Sequence, residues 1–180
     1  MKKIMFNDRF GLTQAVLDGT KTMTRRIIHD YPAPAKYQPA YKVGEEIAIA
    51  QKYWDLRHCD AFYEALQKAD PTFPLECIRD EAGCHNKMFV KAQWMPHRIR
   101  IKSIKAECLQ SISDEDCMRE GVAKWMNCYI VTGIMEDRGR SNVCFDTPRE
   151  AFAALIDRIS GKGTWERNPW VYAYEFELVR

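Results

Sequence analysis

The stretch Asp18-Gly19-Thr20-Lys21-Thr22-Met23-Thr24-Arg25-Arg26 concentrates more reactive chemistry than any other part of this chain. From Lys21 to Arg26 it carries one amine, two hydroxyls and two guanidinium groups, just after a glycine. Such a set offers a nucleophile in Thr22 or Thr24, a base in Lys21, and anion clamps in Arg25 and Arg26.

Something must hold those groups in place. Upstream, residues 2–6 alternate weakly and suit a short strand, and Phe10, Ala15, Val16 and Leu17 fall on one helical face that Gly19 stops. Downstream, Tyr31-Pro32-Ala33-Pro34 and Gln38-Pro39 mark a loop, and Gly44 to Ala50 read as a turn feeding a strand. Residues 55–87 are the least regular part and read as an insertion between two strands, with a short helix from Ala61 to Ala69 turning Phe62, Ala65, Leu66 and Ala69 inward. Arg98 to Ile104 return to strand alternation, with Ile99 and Ile101 on the buried face. Ser113-Asp114-Glu115-Asp116 opens a helix that Gly121 closes. Residues 127–146 are rich in loops. Thr147-Pro148-Arg149-Glu150 has the form of a capping box before an apolar face of Ala151, Phe152, Leu155, Ile156 and Ile159. Trp170 to Val179 form a long aromatic strand. This order predicts an α+β domain.

The chain has 180 residues, 46% of them hydrophobic and 29% charged, which is the profile of one soluble domain with a real core. Its net charge of +2 is small for a bulk polyanion binder, so any nucleic-acid contact is expected to be local. No stretch approaches the roughly 20 apolar residues of a membrane span, and the start carries no cleavage signal. Seven scattered cysteines then read as reduced thiols in a cytoplasmic protein. His58-Cys59, Cys77 and Cys84-His85 lack the paired spacing of a structural zinc site, so no metal is expected. Trp165, beside Asn168-Pro169, is a candidate for stacking on a base. Arg98, Arg100, Lys102 and Lys105 make a basic edge that is either solvated or tracks a phosphate backbone.

The run from Gly19 to Arg26 resembles the glycine-x-lysine-threonine-x-threonine-x-arginine signature of the ASCH domain family, within the PUA-like superfamily of small β-barrels. Tyr41 to Ile47 resembles that family's glycine-acid turn into a strand, Leu109 to Gly121 its short helix, and Asn168 to Phe176 the closing strand of its longer, phage-associated members. The match spans the chain except 55–87 and 125–146. It implies a single domain over 1–180, built as a PUA-like β-barrel with flanking helices and an insertion at 55–87. It also implies recognition of a nucleoside or RNA base, with amide hydrolysis on an N4-acylated cytidine as the reaction. Non-catalytic RNA binding and metal-independent ribonuclease action are the alternatives.

In the amidohydrolase members a lysine, a threonine and a glutamate carry the chemistry, which by position implies Lys21, Thr24 and Glu120. Arg26, Thr22, Arg25 and Trp165 are then expected to bind substrate, and no cofactor is implied. A threonine needs a base, and lysine serves as one only if burial or nearby positive charge brings its pKa down. In a straight strand Lys21 and Thr24 would face opposite ways, so Thr22 stays open as the working hydroxyl. Where longer relatives carry an arginine-glutamate pair, this chain has Ala50-Gln51.

Overall fold

The computed structural model describes residues 1–28, 38–136 and 141–179. The Tyr31–Pro34 loop expectation lies outside the described residues. The chain divides into two compact units, one of residues 1–6, 44–100 and 178–180, the other of residues 7–43 and 101–177.

In the first unit, β1 (Lys3–Ile4) pairs in parallel with β3 (Glu46–Ile49), placing Lys3 opposite Ala48 and Ile4 opposite Ile49. The start of β4 (Arg98–Cys108) runs antiparallel to β3, with Ile99 opposite Ile47. Between β3 and β4 lies α2 (Asp60–Ala69). Phe62 and Leu66, one turn apart, bury the inner face, while Ala65 is half-buried and Ala69 exposed. They join Tyr53, Leu56, Val90, Trp94 and Met95 in one core cluster. The irregular 55–87 segment is thus packed through aromatic side chains, with Tyr53 stacked on Phe62 at 5.5 Å and tilted against Trp94 at 5.4 Å. Burial pushes the Tyr53 phenol up to about 12.

In the second unit, α1 (Leu12–Leu17) leads into β2 (Met23–Ile27). β2 pairs antiparallel with β7 (Trp170–Val179), Thr24 opposite Tyr174 and Arg26 opposite Tyr172. Ser113 caps α3 (Asp114–Arg119) by accepting from Asp116 N. The capping box of α4 (Pro148–Ser160) forms as the sequence predicts: Thr147 accepts from Glu150 N, and Glu150 accepts from Thr147 N. The short α5 (Thr164–Arg167) follows it. β5 (Ala123–Trp125) and β6 (Cys128–Ile130) form a hairpin of their own. Cys128 and Cys144 are paired as a disulfide across a Cα separation of 5.5 Å, so the expectation of seven reduced thiols fails at these two positions.

The α+β class is as expected, but among the described residues the strands do not form the closed PUA-like barrel. The strands make one mixed five-stranded sheet in the order β1-β3-β4-β7-β2, plus the two-stranded β5-β6 sheet. Closing a sheet requires its two edge strands to pair. Here one edge, β1, has only two residues, and β5 and β6 satisfy each other instead of extending the larger sheet.

Candidate active site

Lys21 reaches its place through a pinned turn. Gly19 takes φ +75°, a left-handed conformation that costs glycine little. Thr20 N and Lys21 N then both donate to Ala15 O at 2.9 Å. Beyond the turn Thr22 N donates to Arg119 O at the end of α3, and Phe176 N on β7 donates to Thr22 O. The Lys21 side chain, 2% exposed, is thereby laid under the C-terminal end of α3.

The Lys21 ammonium donates to Met23 O, Glu120 O and Glu120 Oε2, each at 2.7 Å. Glu120 is the C-cap residue of α3, a position that an acid occupies against the helix dipole. Burial pulls the Lys21 pKa down. Glu120 opposes that pull, and the nearby Arg26 and Arg25 charges add to it.

Arg25, whose side chain is 1% exposed, completes a buried charge cluster. Its Nε and Nη2 donate to Glu107 Oε1 at 3.1 and 2.7 Å, and Nη2 also donates to Asp116 Oδ2 at 2.9 Å. Nη1 donates to Glu120 Oε1 at 3.2 Å and to Met23 Sδ at 3.2 Å. Burial alone would lower the pKa of this guanidinium, but Glu120, Glu107 and Asp116 raise it. Burial works against the Glu107 carboxylate, yet Lys105 and Arg25 hold it below the usual carboxylate range. Lys105 Nζ stands 2.7 Å from Glu107 Oε2.

The strand period places Thr24 and Arg26 on the face of β2 opposite Arg25. Thr24 is 6% exposed, and among the described residues its hydroxyl has no hydrogen-bond partner. The Lys21 ammonium touches the carbonyl of Met23, directly before Thr24, so it lies against the peptide that carries the threonine. Arg26 is exposed. Across from these two residues stand Tyr174 and Tyr172, and Tyr41 meets Tyr174 edge-on at 5.3 Å. Tyr174 Oη accepts from Ala40 N, and burial raises its pKa.

The other expected residues sit differently. The Thr22 hydroxyl accepts from Arg119 Nε at 3.1 Å, and Arg119 Nη2 donates to Glu175 Oε1 at 2.7 Å. Trp165 packs edge-on against Phe152 at 6.1 Å and beneath the Arg149 guanidinium at 5.3 Å. It is an anchor between α4 and α5, and its ring contacts do not run to Lys21–Arg26. The basic edge is neutralised locally: Arg98 and Arg100 face Glu46 in the first unit, and Lys102 faces Glu177 in the second.

Sequence reasoning did not single out Glu107, Tyr41, Tyr172 or Tyr174, and it read Asp116 only as a helix-opening acid. Nothing local distinguishes Glu107 on its strand; its role comes from an arginine 82 positions away.

No family model matches this chain, and no curated protein matches it. Among solved structures, it is similar to the crystal structure of protein EF3133 from Enterococcus faecalis V583, of the family DUF984. Identity is 14%, the likeness covers 99% of this chain and 80% of that one, and the TM-score is 0.47. So distant a likeness carries neither fold nor function.

Proposed function

We propose that this protein recognises a nucleoside or RNA base over the Lys21–Arg26 segment and hydrolyses an amide on an N4-acylated cytidine. The observation that carries the reading is a buried lysine with a depressed pKa, paired with Glu120 and lying against the peptide of a threonine whose hydroxyl has no hydrogen-bond partner among the described residues. The resemblance of this segment to the ASCH signature points the same way. Tyr172, half-buried opposite Arg26, offers a flat surface on which a pyrimidine can rest.

The chemistry follows from those groups. At 2.7 Å the Lys21 ammonium passes one proton to Glu120, which leaves a neutral pair and a lone pair on Nζ. Burial favours that exchange. Thr24 Oγ1 then attacks the acyl carbon while Lys21 takes the hydroxyl proton. The C–N4 bond breaks as N4 takes the proton held by Glu120, releasing cytidine and leaving an acyl-threonine ester. A second round of the same transfers, with water as nucleophile and Thr24 as leaving group, yields the free acid and restores the site. Arg26 faces the charge that develops on the acyl oxygen.

Thr24 is favoured over Thr22 because the Thr22 hydroxyl is already engaged by Arg119. The rival reading, RNA-base binding without catalysis, draws on the resting site, where each Lys21 N–H has an acceptor. The deciding experiment incubates the purified protein with N4-acetylcytidine and follows cytidine release, with Lys21→Ala as control. Release that disappears in the variant supports hydrolysis. No release at high protein concentration removes this substrate and leaves base binding.

A further inference from the structure

We infer that Arg25 is a positioning residue, which holds the Glu120 carboxylate in the orientation that serves Lys21 and does not itself receive substrate. This rests on the reading of Lys21 and Glu120 as the reactive pair. Glu120 divides its two oxygens, Oε2 to Lys21 and Oε1 to Arg25. The terminal torsion of a glutamate is soft, so one contact alone would leave the carboxylate free to turn. The second contact fixes the oxygen that Lys21 uses. Arg25 is in turn braced by Glu107 on β4 and Asp116 on α3, so the guanidinium ties β2 to both elements.

A guanidinium has five N–H donors in a fixed fork. All five are directed at protein acceptors here: Glu107 twice, Asp116, Glu120 and Met23 Sδ. An anionic substrate group would have to displace one of these buried contacts. The exposed Arg26, on the other face of the strand, is the guanidinium that meets solvent.

The test uses Arg25→Lys in the full chain, which keeps the charge and removes the fork. Two readouts apply: turnover of N4-acetylcytidine, and the 15N ammonium signal of Lys21, which persists only while its hydrogen bonds slow proton exchange. A positioning role predicts a roughly 100-fold fall in kcat with KM unchanged, together with loss of the Lys21 signal. A rise in KM at unchanged kcat would make Arg25 a substrate ligand and overturn the inference. Unchanged kcat and an unchanged signal would also overturn it. If the wild-type protein shows no turnover, the amidohydrolase reading fails by itself and the Lys21 signal still decides the role of Arg25. If Arg25→Lys does not fold, Asp116→Asn, which removes one brace, takes its place. A smaller fall in kcat with a weakened signal supports the inference, and no change in either refutes it.

Discussion

Two side chains decide most of the chemistry at the residue scale. Lys21 is buried with Glu120, and breaking a buried pair from one side is costly because the remaining carboxylate loses one of its two cationic partners and keeps only Arg25. Lys21→Met should therefore lower stability by about 3 kcal/mol, measured by urea unfolding. Adding Glu120→Leu should recover little of that loss, because the buried Arg25 Nη1 then loses its own carboxylate partner. Thr24 makes the opposite prediction. Its hydroxyl is unpartnered among the described residues, so Thr24→Val should leave the unfolding midpoint nearly unchanged while abolishing cytidine release. Thr22→Val removes the acceptor of Arg119 Nε and should cost about 1 kcal/mol with a smaller effect on rate. Equal rate losses in the two valine variants would remove the preference for Thr24.

At the scale of elements, the site depends on the junction where α3 ends. Gly121 follows Glu120 directly and takes φ +111°. A Cβ there would stand 2.7 Å from Leu12 Cδ2 and 3.9 Å from Lys21 Cδ. Gly121→Ala combines a disfavoured backbone with a displaced leucine and should cost about 2 kcal/mol or more. Thermal unfolding measures the cost. Because Glu120 is the adjacent residue, the same variant should also slow turnover; a fully active, fully stable alanine variant would show that the junction tolerates movement. The element ends themselves were legible from short range. Thr147 and Glu150 lie three positions apart and form their box whatever packs around α4. Lys21 and Glu120 lie 99 positions apart, and no propensity or period connects them.

For the molecule as a whole, the charge cluster sets a pH dependence. Glu107 and Glu175 have folded pKa values below the ordinary 4.5, Glu107 through Lys105 and Arg25 against the effect of burial, and Glu175 through its hydrogen bonds from Arg119 and Ser103. A depressed carboxylate binds fewer protons folded than unfolded, so its stabilisation is complete above 4.5 and is lost as pH falls through the folded value. Through these two carboxylates urea midpoints should fall below that pH. Glu107→Gln should flatten the fall, and an unchanged slope would show that Glu107 takes no part. Among the described residues no helix is long and apolar enough to cross a membrane.

The pattern of apolar residues and caps determined the α+β class, the helices at 60–69, 114–119 and 148–160, and the long aromatic strand, because each depends on neighbours within a few positions. The same local chemistry marked Lys21–Arg26 as the reactive segment. Only the tertiary structure decided that the larger sheet stays open, because closure depends on which edges meet. It also separated two adjacent arginines that look alike in sequence. Strand alternation sends Arg25 into three carboxylates from β4 and α3 and its neighbour Arg26 out to solvent, and the positions of those carboxylates are fixed by packing between distant segments.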